Sequence, residues 1–477
     1  MGVIRKLQAV GAARGYIFLC SVLLYLLSVI FPFPGAQVLL AVSSVCCLLA
    51  AFAYCSLVSK ALSVAFVVCG LYFAHTSSTS WFHILTSFGS MSSLLCLFAV
   101  VPLIAIPVRV GHYEVSVSQV LQKRHLSDRK LYFTISAFAY LLGSLMNIAT
   151  IPMMYHAVRG VVERSNLRDG KRFLVQSIVT GYAMPLAWSP VTAVVAAVVN
   201  VTRVAWLAVL PLTLIISFAG LALSVLLFKG SRGPAFQPES ADVYIAAAAE
   251  SSEETNAPTR GHSIWQIPIA IVAFIACMLL IQHWSGWSML EVISILSIPF
   301  AAAWSALMGE GLSFVRQLAR HHATVRNLHG TFAVFTAAGF FVSTLEHAQA
   351  SASLNRTFVH VAAAIGPSVF IAVIPIIVIA MSMIGFHPVV SIALLGTSLH
   401  PSVLHMSPIW LSIALFGGGV LTFIVSPFNA TLNVTGTVAQ QSPWTIMRWN
   451  VKFCICFLVL IVAIVAIGQR LLPHWTL

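Results

Sequence analysis

Between Lys60 and Arg109 the chain carries no lysine, arginine, aspartate or glutamate. That absence constrains the fold more than any motif. A bilayer core offers no partner to a free amide or carbonyl, so only helices and closed barrels cross it. About 20 apolar residues span the hydrocarbon as helix, and this stretch has room for more than one crossing. The pattern continues to the end of the chain. Of 477 residues, 59% are hydrophobic and 8% charged, against roughly 25% charged in soluble domains. The sequence predicts an all-α polytopic membrane protein and excludes the water-soluble enzyme classes.

The net charge of +13 comes from Lys and Arg in short loops. It reads as the positive-inside signal, so the bilayer is the expected partner and nucleic acid is not. All nine cysteines fall in apolar runs, which gives no disulfide framework, no metal site and no cofactor. No His-Glu-x-x-His helix, Walker loop or Ser/His/Asp set stands at membrane depth, so an enzyme is not expected.

Apolar runs cover 15–33, 37–54 and 61–75. The run 82–108 is too long for one upright span and is tilted or broken. Residues 109–130 are polar and basic, and form an amphipathic interfacial helix or a plain loop. The run 131–158 lies between two basic loops, one with Lys123, Arg124, Arg129 and Lys130, the other with Arg159, Arg164, Arg168, Lys171 and Arg172. A single crossing sets those loops on opposite sides, whereas a re-entrant hairpin keeps both inside. The hairpin is the expectation, and a kinked span is the alternative. A span at 173–199, a closing span at 204–228 and a polar linker at 229–263 follow. The second half holds runs at 264–282, 289–307 and 331–349. A long run at 361–399 with Gly385-Phe386-His387-Pro388 at its centre comes next. A span at 409–438 and a last span at 453–467 end the chain. The expected fold has about eleven transmembrane helices plus two re-entrant hairpins in an inverted repeat, with the N-terminus cytoplasmic. Its parts are scaffold helices (1–130 and 264–360), a transport part (131–228 and 361–477) and the cytoplasmic linker (229–263).

Two of these runs carry related breaks, Ser189-Pro190-Val191-Thr192-Ala193 and Ser426-Pro427-Phe428-Asn429-Ala430-Thr431. Proline lacks an amide proton and restricts the residue before it. Helices broken at matching places in two halves point to a transporter's binding site. Exposed helix N-termini favour anions, and exposed carbonyls favour a small cation. The candidate substrate ligands are Asn147, Thr150, Ser189, Thr192, Ser426, Asn429 and Thr431. The candidate ion-coupling residues are Asn147, Asn429 and His387. For each hydroxyl the alternative is an ordinary helix-to-helix or backbone bond. His387 titrates near neutrality and would suit proton coupling, or is a neutral histidine bonded at a turn. Glu291 is a further ionisable candidate near the membrane.

The order of elements and these motifs resemble the ion transporter superfamily, most closely the divalent-anion/sodium symporter family. That family carries Ser-Asn-Thr-Ala-Thr at its first hairpin tip, and Met146-Asn147-Ile148-Ala149-Thr150 matches it at Asn147, Ala149 and Thr150. Met146 and Ile148 replace residues that serve sodium and carboxylate in the family. The family's Thr-Pro-Pro-Asn is similar to Ser189-Pro190-Val191-Thr192 and Ser426-Pro427-Phe428-Asn429. The resemblance implies an elevator-type homodimer in which a rigid scaffold holds a sliding transport part. The function expected is secondary active transport of a small organic anion, a carboxylate, across a bacterial cytoplasmic membrane. Sodium or protons would be the coupling ion, and alternating access the mechanism. A passive channel or facilitator, and a flippase for a lipid-linked substrate, are the alternatives.

Overall fold

A computed structural model describes residues 2–77, 79–122, 126–165, 167, 169–228, 261–348, 358, 360–399 and 406–472. All of the expected linker except residues 261–263 lies outside them, as do Lys123, Arg124 and Arg168. The described chain is a bundle of helices. Eight helical stretches are long and apolar enough to cross a membrane, or nine if the bent pair Gly311–Arg326 and His329–His347 is one span. The expected eleven is not reached on this measure, because Arg14–Ile30, Ala36–Phe52 and the pieces of the first broken span are shorter, and the eight include Asp128–Glu163, which covers the expected first hairpin.

In the N-terminal region Leu57–Thr76 lies along His329–His347. Gly70 allows the contact, since a Cβ there would fall 2.6 Å from the Phe340 ring. Gly2–Ile30 joins this group, with Phe18 stacked on Phe332 at 4.3 Å. The long 82–108 run is broken. Trp81–Ser87 and Ser92–Val100 are followed by a 3-10 turn at Val101–Ile104, where Pro102 sits, and then by Ala105–Val110. The basic stretch contains the helix Tyr113–Gln122. Tyr113, Val117 and Leu121 are buried along one stripe while Val120 is exposed, so the amphipathic reading holds there.

The run 131–158 is helical but does not run straight. Its first arm is Asp128–Met146 and its second Thr150–Glu163, joined by a 3-10 turn at Asn147–Ala149. Tyr132, near the outer end of the first arm, packs edge-on to Phe173 at 5.5 Å. Val162, near the outer end of the second arm, lies against Gly170. Both outer ends therefore meet the first turn of the next helix, Gly170–Ala183. The residues between the second arm and that helix reach about 20 Å, too little to travel back along a 19-residue arm of about 28 Å. The chain must reverse at Asn147, whose φ of 53° and ψ of −138° make the turn. A second reversal separates Pro367–Met383 from Pro388–Ser398, which packs back on it.

After each reversal comes a broken span and then a closing helix. The first set is Gly170–Ala183, Ala193–Thr202 and Trp206–Leu227. The second is Pro408–Val425, Ala430–Ala439 and Pro443–Leu471. The pieces interlock across the two sets: Ala193–Thr202 packs on the second arm Pro388–Ser398, and Ala430–Ala439 packs on the second arm Thr150–Glu163.

Glycine sets the approach of arm to broken span. A Cβ on Gly181 would stand 2.4 Å from the Ser136 carbonyl oxygen, and one on Gly418 would stand 2.9 Å from Pro375 Cα. Gly160, by contrast, faces open space. We expect Gly181→Val to lower stability by at least about 1 kcal/mol through overpacking. Gly160→Ala should leave stability unchanged or raise it slightly through helix propensity. Thermal unfolding in detergent reads both.

Candidate functional site

The two breaks share a hydrogen-bond pattern, although the first is entered through a 3-10 turn at Met184–Ala187 and the second directly from the helix Pro408–Val425. The amide of Ser189 donates to Pro185 O and that of Thr192 to Ser189 O; the amide of Ser426 donates to Thr422 O and that of Asn429 to Ser426 O. Helix resumes at Ala193 and at Ala430. Thr192 caps the first resumed helix by accepting from the Val195 amide at 3.4 Å, and Asn429 caps the second by accepting from the Thr431 amide at 3.1 Å. Short polar side chains suit this work because they replace the amide partners that the break removes.

The serines tie the breaks to the reversals. Ser189 Oγ donates to Ser144 O at 2.6 Å, across 45 residues, and Ser426 Oγ donates to Ser382 O at 2.8 Å, across 44. Both serines are buried, and a hydroxyl has one proton to give. A ligand would find only their remaining lone pairs. These bonds also align the two tips, which sequence motifs alone left ambiguous. Asn147 and Gly385 stand at the same distance past Ser144 and Ser382, and both have positive φ, 53° and 109°. Glycine accepts that conformation freely. Asparagine there carries a strain of about 1 kcal/mol or more.

Around Asn147 the structure gathers a polar pole. Tyr182 Oη donates to Asn147 Oδ1 at 3.1 Å and also faces Thr431. The helix Ala430–Ala439 packs on the Asn147–Ala149 turn. Thr150 opens the second arm beside it. Three buried groups here have no hydrogen-bond partner among the described residues: Thr150 Oγ1, Asn429 Nδ2 and Thr431 Oγ1. Asn429 Nδ2 is a donor, and both hydroxyls can donate. Leaving such groups unpaired costs about 1–3 kcal/mol each, and an acceptor placed at this pole would pair them. The N-termini of Thr150–Glu163 and Ala430–Ala439 add partial positive charge.

The equivalent pole in the other half has less of this chemistry, although Ser382 Oγ beside its tip is also buried without a partner among the described residues. Gly385 stands where Asn147 does, and Pro388 where Thr150 does. Gly419 takes the place of Tyr182, and Val194 that of Thr431. A Cβ on Gly419 would already meet Ile392 and Val194 at 3.1 Å. Thr192 is committed to its own turn, donating to Ser189 O at 2.9 Å and to Leu186 O at 3.2 Å. His387 caps Pro388–Ser398 by accepting from the Val389 amide at 3.3 Å. Rings surround it: Phe98 at 5.7 Å, Phe335 at 5.2 Å and Phe423 at 6.3 Å. Of the expected ligands, the structure brings together Asn147, Thr150, Asn429 and Thr431. Ser189, Thr192 and Ser426 serve the backbone, and His387 lies in an aromatic cage. Glu291 closes a capping box with Ser288.

Tyr182 was not among the sequence-derived candidates. Its signal was present, since a phenol inside an apolar span needs a polar partner when buried.

The reversals and paired broken helices define a multi-pass, all-helical membrane-protein fold. The fold is similar to that of the Alcanivorax borkumensis YdaH transporter, described as having an unusual topology. The likeness has a TM-score of 0.59 at 12% identity, over 86% of this chain and 98% of that chain. It does not single out the divalent-anion/sodium symporter family. No family model matches the chain, and no curated protein does.

Strain at Asn147 separates its conformational role from its side-chain role. Asn147→Gly relieves the backbone strain but strands the Tyr182 hydroxyl, so the melting temperature should change little while transport falls about tenfold or more, the size expected when a buried polar ligand is lost. Equal transport by this variant would place Asn147 outside the site.

Proposed function

We propose that the chain is a secondary active transporter of a small organic carboxylate, held at the Asn147–Thr431 pole. The observation that carries this reading is the set of unpartnered donors on Thr150, Asn429 and Thr431. A carboxylate accepts hydrogen bonds and donates none when ionised. Two helix N-termini supply positive potential without a fixed charge, which leaves the anion free to depart.

On this reading the halves form an inverted repeat whose reversals are re-entrant hairpins entered from opposite faces. Residues 131–228 and 361–477 move as a transport part against scaffold helices in a homodimer, giving alternating access by an elevator motion. The matched breaks and the interlocked second arms support that partition. The basic loops support a cytoplasmic N-terminus in the cell membrane. Coupling is to sodium or to protons. A sodium ion would draw on tip carbonyls and the Asn147 and Asn429 side chains. His387 is the only acid or base within the two tips and two breaks, so proton coupling would run through it.

Uptake of labelled carboxylates into proteoliposomes tests this. We expect uptake that follows a sodium or a proton gradient. Thr431→Val should reduce it about tenfold or more, as lost substrate hydrogen bonds do. Flux that ignores both gradients would identify a passive facilitator. Absence of carboxylate flux would overturn the substrate class. If protons couple, His387→Asn, which keeps a cap at that position, should abolish the pH dependence.

A further inference from the structure

Away from the polar pole, one end of the bundle holds a half-open cavity of about 570 Å³. Its walls come from the outer end of the first arm, the start of Gly170–Ala183, the end of Trp206–Leu227 and the start of Pro443–Leu471. We propose that this cavity holds the phosphodiester headgroup of a membrane phospholipid that also offers a hydrogen-bond donor.

Two observations point to that chemistry. The first is charge. Arg172 and Lys452 line the cavity and are exposed, and neither forms an ion pair among the described residues. Arg172 Nε donates to Gln176 Oε1 at 3.3 Å, which leaves the end of the guanidinium for a phosphoryl group. Asp169, the one acid of the lining, accepts from the Arg172 amide at 3.1 Å, so the balance is positive. Basic pockets between membrane helices suit anionic headgroups.

The second is a buried acceptor with no partner. Asn450 is fully buried in the wall; its Nδ2 donates to Ile446 O at 2.9 Å, while its Oδ1 is unpartnered. It calls for a donor, which a glycerol hydroxyl or an ammonium on a lipid headgroup supplies. Part of the remaining wall is aromatic, with Tyr132 stacked on Phe228 at 4.8 Å and Phe173 edge-on to Phe228 at 5.2 Å, and part is polar, with Gln176, Thr180 and Ser224. Beside the lining residues, Leu226 and Ile455 are 68% and 57% exposed. These residues present an apolar outer surface on the same helices, where acyl chains would lie. A free anion would leave the aromatic wall and this surface unused.

The probe is phosphatidylglycerol, added to the full-length protein in phosphatidylcholine nanodiscs. Retained lipid is counted by native mass spectrometry. Arg172→Gln with Lys452→Gln should cut retention about tenfold or more through loss of two basic contacts, with the melting temperature in plain phosphatidylcholine unchanged. Asn450→Leu should also lower retention, without loss of stability, because it removes an unpaired buried group. Retention equal to wild type in the double variant would overturn the proposal. Displacement of the lipid by millimolar glycerol 3-phosphate or inorganic phosphate would overturn it too, since the site would then take a free anion.

Discussion

A helix that stops inside a bilayer leaves amides and carbonyls that water cannot reach, and everything at the candidate site follows from how this chain pairs them. Each break is closed by a serine hydroxyl that crosses to a carbonyl of the preceding reversal, Ser189 to Ser144 and Ser426 to Ser382. Each resumed helix is then capped from within, by Thr192 or Asn429. These bonds fix the arm to the broken span at the same register in both halves. They decide which tip residue faces which break, and so which side chains can share a ligand.

The shared backbone makes the difference in side chains informative. One pole carries Asn147, Thr150, Tyr182, Asn429 and Thr431, while the other presents Gly385, Pro388, Gly419, Thr192 and Val194 in their places. Packing explains the second set, since Gly419 leaves space that Ile392 and Val194 fill. It does not explain the first. A strained asparagine and three unpartnered buried groups are costly to a fold that needs nothing further there. A ligand that accepts hydrogen bonds removes most of that cost.

Much of this frame was legible in the sequence. The charge-free stretches required membrane helices, the flanking basic loops called for a reversal in 131–158, and the two Ser-Pro breaks marked corresponding places. The roles of single hydroxyls were not legible. Ser189 and Ser426 have the residue type of ligands, yet their protons go to carbonyls that only the folded arrangement brings near. His387 stood out as an ionisable group at membrane depth, but its ring nitrogen caps a helix among phenylalanines. The tip alignment was ambiguous because Gly385 and Asn147 share a positive φ and no side-chain chemistry. Tyr182 was visible as a phenol in an apolar run, but its partner Asn147 lies on a different segment and only the fold identifies it.

The central claim is that one pole, not both, holds the anion. Equilibrium binding of the carboxylate with the highest uptake, measured on purified protein, tests it most directly through the equivalent pair Thr431 and Val194. The account predicts one bound anion per chain. Thr431→Val should weaken binding about tenfold or more without lowering the melting temperature, and Val194→Thr should leave binding unchanged. Binding by Thr431→Val equal to that of the unaltered protein would contradict it.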